Sequence, residues 1–155
     1  MQQDPSPSSS SEISLVRVHR GNWEKVANIR LKPEQTAFTP PAPICLLEAH
    51  YENLEPFAIY GPEKNVIGLV VVAKVGGGLS WVSRILIDEN YQGLGLGKGT
   101  LDALIRKMRT TPGLYEIRAA INRQNAVAEY LFHSFGFRRL ADDEGTEIVM
   151  SLPVE

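Results

Sequence analysis

An α/β layer built around a mixed sheet is the fold this sequence predicts, and three observations carry the prediction. Strand-like and helix-like segments alternate in the order strand, two helices, three antiparallel-like strands, helix, strand, helix, two strands. A junction holding four glycines, Tyr91-Gln92-Gly93-Leu94-Gly95-Leu96-Gly97-Lys98-Gly99-Thr100, connects an apolar strand to an amphipathic helix. The chain has 155 residues and 43% apolar content, which suits one domain with a substantial core.

Met1 to Ser11 is rich in Ser, Pro and Gln, has almost no apolar content, and is expected to be a disordered tail. A single domain then runs from 12 to 155. Ile13 to Val18 reads as a strand, and Asn22 caps a helix reaching about Arg30. Prolines at 33, 40, 41 and 43 should break regular structure before a helix from about Ile44 to Glu52. Pro56 to Tyr60 and Val66 to Val75 are strands joined by the turn Gly61-Pro62-Glu63-Lys64-Asn65. Gly76 to Gly78 turn the chain into Leu79 to Ile87, the strand that leads to the glycine junction. Leu101, Leu104, Ile105 and Met108 form the buried stripe of the next helix, which stops at Thr111-Pro112-Gly113. Glu116 to Ile121 is a strand, followed by a helix capped by Asn125 with Val127, Leu131 and Phe135 at four-residue spacing and Gly136 at its end. Phe137 to Ala141 and Thr146 to Leu152 complete the sheet around an acidic turn.

The glycine junction is a place to bind phosphate. Glycine lets a loop close around a ligand, and the first amides of the helix behind it lack partners and carry the positive end of the dipole. The register excludes two familiar loops. A Walker loop fails because Gln92 occupies its first glycine position and Gly99 follows Lys98, and the dinucleotide signature GxGxxG meets Lys98 at its third glycine. Gln-x-x-Gly-x-Gly, from Gln92 through Gly95 to Gly97, does fit, and it resembles the phosphate-cradling motif of the GNAT superfamily of N-acetyltransferases. A second stretch, Asn125 to Phe137, resembles that superfamily's other signature, with Asn opening a helix and Gly-Phe closing it.

The resemblance covers roughly Leu15 to Leu152. Within the superfamily the likeness is greatest to bacterial diamine and polyamine N-acetyltransferases, through Leu31-Lys32-Pro33-Glu34-Gln35 leading to Phe38, the helix with Glu48-Ala49, and Trp81 to Asp88. It implies a mixed, mostly antiparallel central sheet flanked by helices on both faces, with two splayed strands forming the slot for acetyl-CoA. It also implies residue roles. Ile85, Leu86 and Ile87 would hold the pantetheine arm, with the Leu86 N–H as oxyanion donor. Gln92, Gly93, Leu94, Gly95, Leu96, Gly97 and Lys98 would hold the pyrophosphate, and Asn125 would reach the arm from the other side.

An alkyl amine with a pKa near 10 must lose a proton before it attacks a thioester, so a carboxylate is required. Glu48 and Glu52 are the candidates on the acceptor side, with Glu55 beside them. Phe132 is expected among the cofactor contacts; it stands where many relatives carry a tyrosine that protonates the departing thiolate. Tyr130 lies about 200° around the helix and cannot replace it. The expected reaction is acetyl transfer to a primary amine, such as a polyamine or other small amine, by direct attack in a ternary complex. A protein or peptide N-acetyltransferase and a non-catalytic acyl-CoA-binding module are the alternatives.

Net charge of −2 argues against a nucleic-acid partner, and Arg106, Lys107 and Arg109 read as a solvated helix end. Cys45 is the one cysteine, and His19, His50 and His133 have no ligand spacing, so no metal is expected. No stretch approaches the roughly 18 apolar residues of a membrane span, and the first residues lack the basic and apolar regions of a signal peptide, so export is not expected. A cytoplasmic enzyme with a small amine acceptor, of a kind whose relatives commonly pair as homodimers, is the resulting expectation.

Overall fold

The computed structural model describes residues 12–140 and 145–154. The expected tail at 1–11 and the acidic turn after Leu140 lie outside them. Seven strands form one sheet: β1 (Ser14–Arg17), β2 (Glu55–Tyr60), β3 (Val66–Gly76), β4 (Leu79–Ile87), β5 (Glu116–Asn122), β6 (Arg138–Arg139) and β7 (Glu147–Pro153). Their spatial order is β1-β2-β3-β4-β5-β7-β6, antiparallel throughout except for the parallel pair β4–β5. Among the described residues four α-helices accompany it: α1 (Trp23–Ala27), α2 (Ala42–Tyr51), α3 (Leu96–Met108) and α4 (Ala126–Ser134).

Period-two alternation sorts the two faces of the sheet. Phe57, Ile59, Val70 and Val72 join the larger cluster with Leu101, Leu104 and Ile105 of α3 and Phe132 of α4. Ala58, Leu69, Val71 and Leu86 join the smaller cluster with Val26 of α1 and Cys45 and Ala49 of α2. Covered on both sides, β3 is buried without interruption from Ile67 to Val72, which is why it reads as a continuous apolar run.

Three boundaries differ from the sequence reading. α2 begins at Ala42, not Ile44, because Pro41 takes the capping position and Pro43 sits in the first turn, where its missing N–H costs nothing. α1 ends at Ala27, short of Arg30, because the chain leaves to bond with the end of β4: Arg30 N–H donates to Asp88 Oδ2 at 3.1 Å and Glu89 N–H to Arg30 O at 2.7 Å. In α4 the stripe expected at Val127 is displaced. Val127 is 81% exposed, whereas Phe132 is buried and Ala128, Leu131 and Phe135 pack partly against the core. Four-residue steps advance about 400° around a helix, so the stripe drifts off the core within two turns.

Candidate active site

β4 and β5 pair from Leu79–Glu116 to Val82–Ala119 and then part, although both continue, to Ile87 and Asn122. The parting has a local cause. Against β3, Val71 faces Arg84 while Val72 faces Val82, so Ser83 is an extra residue and β4 bulges there. A bulge bends its strand and raises its twist. The bend carries Ile85 to Ile87 away from β5 and opens a fork.

Two cavities meet in this fork. The larger, about 500 Å³, runs from Gly93 and Gly97 past Ile87 to Ile85, between α4 and the segment Leu31 to Thr39. The smaller, about 100 Å³, lies inside the fork and is lined by Ser83, Arg84, Asn122 and Glu147 among others. They share Phe38, Thr39, Ile85, Asn125, Ala128 and Phe132, so they are two halves of one passage.

At its wide end the passage meets the glycine loop. Gly93 and Gly95 have φ of 79° and 78°, left-handed values that glycine adopts without penalty. A Cβ placed on Gly93, Gly95 or Gly97 would touch nothing within 4 Å, so none of the three is small in order to pack against protein. α3 starts on Gly95 with no side-chain cap, leaving its first amides to an incoming anion. This open cradle fits the diphosphate of coenzyme A. Leu96, in contrast, sends its side chain into the core, and Leu94 and Lys98 face solvent.

Gln92 does something the sequence does not reveal. Its Nε2 donates to Ile87 O at 2.8 Å and to Gln35 Oε1 at 2.8 Å, and its Oε1 accepts from Gln35 Nε2 at 3.0 Å. Gln35 Oε1 also accepts from Lys32 N–H at 3.1 Å. The Gln92 side chain is therefore committed to the protein, tying the loop to β4 and to the turn that carries Phe38 and Thr39, and leaves phosphate contact to the backbone amides, where it was mostly expected.

The expected oxyanion donor changes as well. Asp88 N–H bonds Ile67 O at 2.8 Å, and the register then places Leu69 opposite Leu86 and Val70 opposite Ile85. Bonded and non-bonded pairs alternate in an antiparallel ladder, so Leu86 turns its N–H and C=O to β3. A Cβ on Gly68 would collide with the Leu86 carbonyl oxygen, which confirms that direction. The polar groups of Ile85 and Ile87 face the fork, and the Gln92 bond to Ile87 O lies on that side.

Nor does the structure bring Glu48 and Glu52 into the passage. Glu48 stands behind Arg84, its Oε1 3.5 Å from Arg84 Nε, and neutralises it. Glu52 caps the far end of α2, and Glu55 pairs with Lys74 at 3.6 Å. The carboxylates that line the passage are Glu34, beside Lys32, and Glu147 on β7. Sequence spacing carried no signal for Glu147, which reaches the fork only through the pairing of Asn122 with Glu147. Cys45, next to the Arg84–Glu48 pair, is buried, and that burial pushes its thiol up to about 11.

A family model for the acetyltransferase (GNAT) family matches residues 23–137. The chain belongs to the GNAT family. Spermine/spermidine N(1)-acetyltransferase of Bacillus subtilis (strain 168) is 29% identical in an alignment of 143 residues, covering 81% of this chain and 88% of that protein. Among solved structures, spermidine N-acetyltransferase from Vibrio cholerae in complex with CoA and spermine superposes with a TM-score of 0.74, at 17% identity over 92% of this chain and 96% of its own. Ribosomal-protein-S5-alanine acetyltransferase from Vibrio fischeri gives 0.72, at 18% identity over 93% and 94%. At those identities the two structures establish the fold, which is the mostly antiparallel GNAT sheet flanked by helices.

Within this GNAT fold Phe132 lines both cavities and stacks edge-on against Phe137 with ring centroids 5.0 Å apart. Tyr130 is 77% exposed and lines neither cavity. The hydroxyl groups along the passage, among the described residues, are those of Thr39 and Ser83. Among the same residues no helix is long and apolar enough to cross a membrane.

Proposed function

We propose that this GNAT acetyltransferase transfers the acetyl group of acetyl-CoA to a primary amine of a small aliphatic polyamine, by direct attack in a ternary complex. The observation that carries the reading is the fork at Ser83, where a passage from an uncapped helix start meets a small cavity with an acidic wall. The similarity to a relative named for spermine and spermidine supports the same acceptor class.

Each residue's part follows from its position. The N–H groups of Gly93 to Lys98 take the diphosphate. Ile85 and Ile87 offer the pantetheine arm a strand edge, and the Ile85 N–H stabilises the charge that develops on the thioester oxygen. Arg84, the cation lining the inner cavity, is offset by Glu48, so Glu147 leaves that cavity with net negative charge. That charge attracts the ammonium form, and the same carboxylate, directly or through water, accepts the proton the amine must lose. Thr39 hydroxyl is the donor placed for the departing thiolate. A thiol of pKa near 8.5 leaves with little help, so a phenylalanine at position 132 is tolerable.

The deciding experiment follows CoA thiol release with spermidine, with a diamine and with a peptide bearing a free N-terminus. The peptide is included because the Vibrio fischeri neighbour is named for a protein substrate. Turnover on spermidine above the peptide supports the proposal, and the reverse order moves the acceptor to protein. Acetyl-CoA binding by calorimetry with no product from any amine overturns transfer and leaves a binding module. A cytoplasmic setting and self-association belong to the same proposal, the latter read by light scattering.

A further inference from the structure

A third cavity, of about 370 Å³, lies at the opposite end of β4 from the glycine loop. Ser80 is seven residues from Ile87, or about 23 Å along an extended strand. Arg17, Lys74 and Lys107 converge on this cavity against a single carboxylate, Glu55, with Phe57 between them. Glu55 offsets Lys74 through a loose pair of 3.6 Å. Arg17 and Lys107 have no ion pair among the described residues. Both lean on the Phe57 ring instead, at 5.8 Å and 5.0 Å from its centroid.

An independent observation concerns Ser80. It is only 5% exposed and lines the same cavity, yet its hydroxyl makes no hydrogen bond among the described residues. A buried hydroxyl without a partner is costly and asks for an explanation. Like charges gathered around one cavity are costly too, and a bound anion relieves both. Besides Glu55, which is paired with Lys74, the negative end of α3 opposes an anion here. Its last carbonyls are already occupied: Thr110 N–H and Oγ1 donate to Lys107 O at 3.1 and 2.7 Å, and Thr111 N–H donates to Met108 O at 3.0 Å. A volume near 370 Å³ lies within the usual range for a small-molecule site.

We propose that this cavity binds a compact polyanion, a metabolite carrying phosphate or several carboxylates, with Arg17 and Lys107 supplying charge and the Ser80 hydroxyl a directed hydrogen bond. The site is separate from the acetyl-CoA slot and does not depend on the acceptor assignment. The test is residue-resolved amide NMR on the full chain in the presence of saturating CoA. Pyrophosphate is titrated in one arm, citrate in a second, and sodium chloride at matched ionic strength in a third. Saturable shifts at Ser80, Thr110 and Thr111 are expected in at least one of the first two arms, and which arm responds identifies the source of the anion. Arg17→Gln with Lys107→Gln should weaken binding at least tenfold while the Gly97 amide still reports CoA. Ser80→Ala should weaken it several-fold. The single Lys107→Gln variant, on an exposed side chain, serves if the double variant does not fold. Absence of saturable shifts in both arms, equal shifts with sodium chloride, or unchanged affinity in these variants overturns the proposal.

Discussion

The two helices whose first turns border the passage begin in opposite ways. α4 is closed by its own sequence: Asn125 Oδ1 accepts from Ala128 N–H at 3.2 Å, and Glu129 places acid in the first turn. α3 starts on a left-handed glycine with no cap and no acid in its first turn. A helix start that satisfies its own amides has nothing left for a ligand, and one that leaves them bare is stabilised when an anion arrives. The contrast is the reason the proposed function puts the diphosphate at α3 and makes α4 a wall of the passage.

The sharpest way to break this contrast is to give α3 the acid it lacks. Gly97 has open space around it and an ordinary helical φ, so Gly97→Asp should raise stability by about 0.5–1 kcal/mol through better helix propensity and the dipole. The same carboxylate should weaken acetyl-CoA binding at least a hundredfold, since like charges about 4 Å apart at an effective dielectric near 20 repel by about 4 kcal/mol. Calorimetry and a thermal melt should therefore move in opposite directions. Retained affinity would remove the diphosphate from α3.

The next effect comes from the amide pair that holds the loop. Gln35→Ala and Gln92→Ala should each weaken acetyl-CoA binding by about tenfold. Because the two side chains bond each other, the double variant should fall short of additivity by about 0.5–1.4 kcal/mol in a double-mutant cycle, the upper value being the whole of one tenfold loss. Additive losses would mean that the two glutamines act separately.

At α4, cap and ligand contact can be separated. Asn125→Ala should cost about 1 kcal/mol as a lost N-cap, a fall in Tm of about 2–4 °C. Asn125→Asp keeps the acceptor oxygen and the melting temperature but loses the amide donor, so a higher KM for acetyl-CoA in both variants, with Tm unchanged in Asn125→Asp, would assign the donor to the pantetheine arm.

The smallest effect is electrostatic. The hydrogen bond from Arg139 lowers the pKa of Glu129 below its usual 4.5, with Oε2 2.9 Å from Arg139 Nε. A carboxyl depressed in the folded state contributes stability above its unfolded pKa and loses it as pH falls through the folded one. The Tm difference between wild type and Glu129→Gln should therefore be present at neutral pH and close below about pH 4.5, staying small because the pair is exposed. A difference that persists in acid would contradict the pairing.

Much of this was legible without coordinates, and the failures share a cause. The glycine loop, the Asn125 cap and the strand run of β3 depend on residues within one or two turns of each other. Leu86 was misassigned because the direction of an amide in a strand is decided by the ladder partner, here β3, and not by the strand's own sequence. Glu48 and Glu52 were reasonable carboxylates in the right segment, but Arg84 neutralises the first and the axis of α2 carries the second away.

What the chain determines alone is the chemistry of its junctions. Glycines at left-handed positions and an uncapped helix start follow from local φ and ψ, and no distant residue is needed to create them. What only the tertiary structure decides is which groups line the fork. Gln35 meets Gln92 across 57 residues, Glu147 enters through β7, and the bulge at Ser83 exists only as a mismatch against β3. Spacing along a chain constrains neighbours within a few residues, whereas pairing register and crossing strands depend on the whole core closing at once.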